Sequence, residues 1–119
     1  MWSEISTLYG KLREALRPLA DEVLGHFSHV YPQGISLYMI LLGKAPDDQA
    51  SLARLAEIWQ TAMEVTMSCG GEISHHHGIG LLRREFMQPF LGTRFDLLRR
   101  LKQALDPDGL LNPTKLGLD

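Results

Sequence analysis

Two β-prone runs separated by three turn-forming residues decide what this 119-residue chain can fold into. Leu24-Gly25-His26-Phe27-Ser28-His29-Val30-Tyr31 and Ile35-Ser36-Leu37-Tyr38-Met39-Ile40-Leu41-Leu42 flank Pro32-Gln33-Gly34. That is the pattern of an antiparallel hairpin, with Gly34 taking up the unusual turn dihedral. The second run is apolar on both faces, which predicts a central position in a sheet. Tyr38, in phase with Ser36, Ile40 and Leu42, puts one phenol into that strand. By residue chemistry alone it is a core tyrosine whose hydroxyl finds a carbonyl.

Helical periodicity brackets the hairpin. Trp2, Ile5, Tyr9, Leu12, Leu16 and Leu19 recur every third or fourth residue, an amphipathic stripe that Ser3 or Ser6 can cap and Pro18 ends. A second long helix is predicted over 48–68, with Leu52, Leu55, Trp59, Met63 and Met67 facing inward. A short helix follows to about Gln88, stopped by Pro89. Thr93 then caps a last helix, in which Leu97, Leu98, Leu101 and Leu105 face inward and Arg94, Arg99, Arg100 and Lys102 stay in water. Asp106-Pro107-Asp108-Gly109 is a turn, and the tail through Asn112-Pro113 is extended. Helix, hairpin, helix, short strand and two helices together give an α+β fold, with helices packed on one face of a small antiparallel sheet.

Charge narrows the function classes. The net charge of −2 gives no electrostatic case for nucleic acid or an anionic membrane surface. No apolar run is long enough to span a membrane, and Glu4, Lys11 and Arg13 interrupt the start where a signal peptide would be apolar. The single Cys69 cannot form an internal disulfide and reads as a buried small hydrophobe, so a cytoplasmic location is expected.

The stretch with chemical content is Gly70-Gly71-Glu72-Ile73-Ser74-His75-His76-His77-Gly78-Ile79-Gly80. Gly70-Gly71 can end a helix, and Gly78 and Gly80 let a backbone or ligand come close. An extended segment through Glu72-Ile73-Ser74 sends His75 and His77 to one side and His76 to the other. Imidazoles in this number suit proton transfer, metal ligation or an anionic substrate; the plainer alternative is a polar loop capping a helix. A metal would need His75 and His77 with His26, His29 or Glu72, and nothing in the sequence requires one. Ser74 lacks a nucleophile elbow, which argues against a hydrolase. Gly78-Ile79-Gly80 lacks a third glycine and a following Walker lysine, so the chain carries no recognisable dinucleotide or phosphate motif of its own.

The run from Gly70 to Gly80, Arg83 or Arg84 after it, and Asp106-Pro107-Asp108-Gly109-Leu110-Leu111-Asn112-Pro113-Thr114-Lys115 resemble the C-terminal end of FAD-linked oxidases of the vanillyl-alcohol oxidase type. The resemblance extends from about Trp2 to Leu116. The triple histidine is most similar to the alkyl-dihydroxyacetone-phosphate synthase branch. The glycolate oxidase and D-lactate dehydrogenase branches, some of whose members use a metal, more typically carry Glu-His-Gly-Ile-Gly, and position 76 here is not glutamate.

The resemblance implies half of a ferredoxin-like substrate-cap domain acting on a small-molecule substrate. FAD would be held mainly by an FAD-binding domain expected ahead of Met1. It further implies that His75, His76 and His77 line the active site beside the flavin, with Gly78 and Gly80 approaching the cofactor. Tyr38, 37 residues before His75, would point its hydroxyl at the reacting part of the substrate, with Tyr31 the weaker choice. Arg83 or Arg84 would clamp an anion. Half a sheet leaves an apolar edge strand, so the isolated chain is expected to form a homodimer. The rival expectation is a non-enzymatic interaction or metal-binding domain.

Overall fold

The hairpin forms where the two β-prone runs lie. In the computed structural model, which describes residues 2–118, strand β1 spans Glu22–Val30 and strand β2 spans Ile35–Leu42. They pair antiparallel from Glu22 opposite Leu42 to Val30 opposite Ile35. Reciprocal bonds close the turn, Tyr31 N–H to the Gly34 carbonyl at 2.8 Å and Gly34 N–H to the Tyr31 carbonyl at 3.3 Å. Gly34 does not carry the left-handed dihedral predicted for it; His29 does, with φ at 51°. Between the Ser28–Ser36 and Val30–Ile35 pairs β1 has one residue more than β2, and His29 is that residue, a β-bulge.

The chain divides into two compact units, Met1–Glu72 and Ile73–Asp119, and each has buried residues of its own. In the first, helix α1 (Ile5–Leu16) follows a 3₁₀ turn at Trp2–Glu4, and its N-cap is Glu4 with no side-chain cap bond. Neither Ser3 nor Ser6 therefore caps it. The helix ends as expected, in a 3₁₀ turn (Arg17–Leu19) that holds Pro18. Tyr9 lies edge-on to Phe27 of β1, with ring centroids 5.5 Å apart. That ring passes so close to Gly25 that a Cβ there would stand 2.5 Å from Tyr9 Cε2. The helix thus covers the Gly25/Phe27 face of the hairpin, and alternation leaves His26 and Tyr38 on the opposite face.

Helix α2 (Asp48–Ser68) begins at Asp47, whose carboxylate accepts the Ala50 N–H at 2.7 Å. It ends in a Schellman motif, with Gly70 N–H on the Met67 carbonyl, Gly71 N–H on the Thr66 carbonyl and Gly70 at φ 67°. It packs against α1, where Leu12, Leu16, Met63 and Thr66 are buried. The predicted inward stripe holds only for the C-terminal half of α2, since Leu52 is 68% exposed and Leu55 is exposed too. Nor is β2 a central strand. Among the described residues the sheet has two strands, and no residue of β2 is buried, with Ile40 and Leu42 exposed, so apolar side chains on both faces need not mean a paired, central strand.

No strand forms at Glu72–Ser74, where the second unit begins; the chain there is an irregular loop. A 3₁₀ turn at Arg84–Phe86 runs into helix α3 (Met87–Leu91). Pro89 is the third residue of α3 and does not stop it, because N–H groups of a first turn have no helical partner to lose. Gly92, at φ 55°, separates α3 from helix α4 (Thr93–Leu105), and Thr93 makes no side-chain cap bond.

Phe86, Met87 and Phe95 are buried. The inward stripe of α4 runs Phe95, Leu98, Lys102, so Leu97, Leu101 and Leu105, expected inside, are exposed. Lys102, expected in water, is half-buried, paired with the buried Asp106 and donating to the Leu111 carbonyl at 2.6 Å. Asp106 also accepts the N–H groups of Leu110 at 2.8 Å and Leu111 at 2.9 Å. The Lys102 hydrogen bond, then these two N–H groups, hold its carboxyl below the usual carboxylate range against the opposing effect of burial. The tail is folded into turns, not extended. Asn112, Thr114 and Leu116 have positive φ, and Gly117 lies where a Cβ would stand 3.1 Å from the Arg84 carbonyl. No helix among the described residues is long and apolar enough to cross a membrane.

Candidate active site

In the second unit the histidines sit on a closed arch. The Gly78 carbonyl accepts the Ser74 hydroxyl at 2.8 Å and Arg83 Nη1 at 2.8 Å. The Ser74 bond draws the ends of Ser74–Gly78 together, the Arg83 bond braces the Gly78 end, and His75, His76 and His77 are exposed at the crown. Nδ1 of His75 and Nδ1 of His76 are 2.8 Å apart, so one donates and the other accepts, and the contact imposes complementary proton positions. The rings pack edge to face in sequence, His75 on His76 at 5.0 Å and His76 on His77 at 4.3 Å. The predicted alternation is therefore overturned: among the described residues the segment is paired in no sheet, and the arch turns successive rings onto one another.

Gly78 and Gly80 adopt φ of 72° and 58°, and no atom lies within 4 Å of where a Cβ would be. Backbone at both is open to a flat ligand. The arginines divide their work. Arg83 is half-buried beneath the arch, where burial lowers its pKa from the ordinary value, and it serves the Gly78 carbonyl. Arg84 reaches the Thr114 carbonyl at 3.5 Å and lines an open cavity of about 340 Å³ with Glu85, Gln88, Phe95 and Gly117. Ser74, which the sequence offers only as a nucleophile without an elbow, closes the arch and is a site residue; its signal is a hydroxyl four positions before a glycine carbonyl.

In the first unit Tyr38 sits on β2 directly opposite His26, half-buried on the hairpin face that α1 does not cover. It is not a core tyrosine sealed under a helix. Its ring centroid is 6.0 Å from that of His26 and 6.4 Å from that of His29. Ser28 Oγ lies 2.6 Å from His29 Nδ1. Tyr31, at the turn, is exposed, and its carbonyl accepts the Trp2 indole N–H at 3.0 Å.

Residues 1–116 match the family described as FAD linked oxidases, C-terminal domain. Among curated proteins the chain is similar to the alkyldihydroxyacetonephosphate synthase of Dictyostelium discoideum, 32% identical over 79% of this chain and 15% of the relative. It is also similar to the synthase of the same name from Trypanosoma brucei brucei, 35% identical over 76% of this chain and 15% of the relative. A third relative, the uncharacterized FAD-linked oxidoreductase YgcU of Escherichia coli (strain K12), is 30% identical over 93% of this chain and 25% of its own length. The chain thus spans a quarter or less of the length of these relatives.

Proposed function

The chain belongs to the family of FAD linked oxidase C-terminal domains, and from that premise we propose that it forms the substrate-side part of an FAD-dependent oxidoreductase or alkyl-dihydroxyacetone-phosphate synthase-like enzyme. The observation that carries this is the arch: Ser74 and Arg83 hold one carbonyl so that three imidazoles are presented together beside two open glycines. The residues fit a flavin as a lining, since bare backbone at Gly78 and Gly80 admits a planar ring edge, whereas holding the nucleotide falls to an FAD-binding domain. Bound FAD supplies electron acceptance and donation.

The chain's own residues bind and orient. His75, His76 and His77 donate hydrogen bonds to an anionic substrate oxygen, and the proton arrangement fixed between His75 and His76 sets which nitrogen points outward. Tyr38 gives or takes a proton at the reacting group of a small-molecule substrate. Arg84, lining an open cavity, is the better placed of the two arginines to clamp an anion, because Arg83 is engaged in closing the arch.

The test uses the flavin-loaded protein that contains these residues. Under argon, 2-hydroxy acids and alcohols are screened for loss of flavin colour, and alkyl-dihydroxyacetone phosphate is screened for perturbation of the flavin spectrum. A responding ligand should be turned over about 100-fold or more slowly by His77→Ala and by Tyr38→Phe, the scale of losing a positioned acid–base group. Full activity in both variants with flavin retained refutes the assignment.

A further inference from the structure

Strand alternation explains why His26 faces Tyr38, but it predicts the opposite for His29. Residues 24, 26 and 28 of β1 share one face, and 23, 25 and 27 share the other, so an unbroken strand would carry His29 to the Phe27 side under α1. The bulge cancels this. As the extra residue between the Ser28–Ser36 and Val30–Ile35 pairs, His29 comes round to the Tyr38 face, its ring 6.4 Å from the phenol at an interplanar angle of 37°. Two imidazoles thus bracket one phenol, His26 through the register and His29 through the bulge.

Two further details set His29 apart. Its φ of 51° is a conformation that glycine or asparagine adopts with less strain, yet the position holds a large ring. Bulges commonly re-aim a side chain beside an active site. Ser28 Oγ, 2.6 Å from Nδ1, engages that nitrogen and restrains the ring. A bulge needed only for strand geometry has no use for this orientation.

We propose that His29 is a further catalytic residue of the Tyr38 site. Its imidazole and the Tyr38 hydroxyl hold the same anionic oxygen of the substrate, a carboxylate or a developing alkoxide, and Ser28 acts as the positioning residue for the ring. This rests on the reading that Tyr38 faces substrate in the flavin-loaded protein.

The variants separate side chain from backbone. His29→Gly keeps the left-handed conformation and the bulge while deleting the imidazole. In the flavin-loaded protein it is expected to lower kcat/KM about 100-fold with an unchanged thermal midpoint, and added free imidazole should restore a measurable part of the rate. Ser28→Ala should lower kcat by roughly 10-fold while KM changes less, because the ring stays but its orientation loosens. Full activity in His29→Gly, with Tyr38→Phe still impaired, overturns the inference and leaves the proposed function standing. Loss in His29→Gly that imidazole does not rescue also overturns it, assigning the residue to the bulge alone. A wild-type protein that turns over none of the screened ligands overturns both. Nuclear magnetic resonance of the 119-residue chain gives a flavin-free readout: Ser28→Ala should shift the proton population between the two His29 nitrogens, and unchanged signals count against the proposed orientation.

Discussion

Gly25→Ala tests which face of the hairpin is open, and with it the exposure of Tyr38. The added methyl would stand 2.5 Å from Tyr9 Cε2 and 3.0 Å from Cδ2, closer than carbon atoms tolerate. On an uncrowded strand the same change stabilises by roughly 0.5–1 kcal/mol, since alanine has less backbone freedom to lose. Here the ring must leave. It gives up its edge-on contact with Phe27, worth about 0.5–1.5 kcal/mol, along with part of its burial. Overpacking of this kind costs about 1–3 kcal/mol. The opposing terms leave a net loss of about 1–2 kcal/mol, which for a chain of this size lowers the thermal midpoint by roughly 4–12 °C.

Urea unfolding followed by circular dichroism, on Gly25→Ala, Tyr9→Leu and the double variant, measures it. Once Tyr9 is leucine the methyl meets no ring, so the two changes should couple by at least about 1 kcal/mol. Strictly additive effects, or a stabilised Gly25→Ala, would mean that α1 does not lie over Gly25. Tyr38 would then lose its claim to the uncovered face.

Two other expectations follow from the second unit. Because the Asp106 carboxyl is held below its unfolded value of about 3.9, it contributes stability that is fully present above that pH and is lost as pH falls through the folded value. Acid unfolding monitored by the nuclear magnetic resonance signals of residues 73–118 should show this limb in the wild type, and Asp106→Asn should remove it; an unchanged acid limb counts against the assignment. Because the histidine rings pack on one another at the crown of an arch, His76→Ala and His77→Ala should slow turnover by similar factors in the flavin-loaded protein. A loss confined to His77 would restore the alternating strand that the structure replaces.

What was legible in the sequence was local. The bounds of α2 follow from Asp47 at one end and Gly70-Gly71 at the other, each of which acts within five residues of itself. The hairpin followed from two apolar runs and a turn. What was hidden depended on a partner elsewhere. His29 bulges because two strands of unequal count must pair, which neither strand announces alone. The histidine run reads as alternating only if another strand holds it straight; the bonds of Ser74 and Arg83 to Gly78 decide otherwise. In α4 two leucine-bearing stripes overlap, and Phe95 selects the one that contains Lys102 over the one with more leucines. The Tyr38 and histidine-run roles came from resemblance, because periodicity places a half-buried phenol or an exposed imidazole without saying what it does.

Asp106 also decides where this unit can be cut. One carboxylate ties the last turn of α4 to Leu110 and Leu111 and neutralises the half-buried Lys102, so the end of the helix is not the end of the cooperative unit. A stop codon after Leu105 would strand a partly buried cation and strip Arg84 of the Thr114 carbonyl it meets. A fusion partner or label is therefore best joined beyond Leu118, past Gly117, which packs on the Arg84 carbonyl, and past the Leu118 N–H that bonds the Lys115 carbonyl.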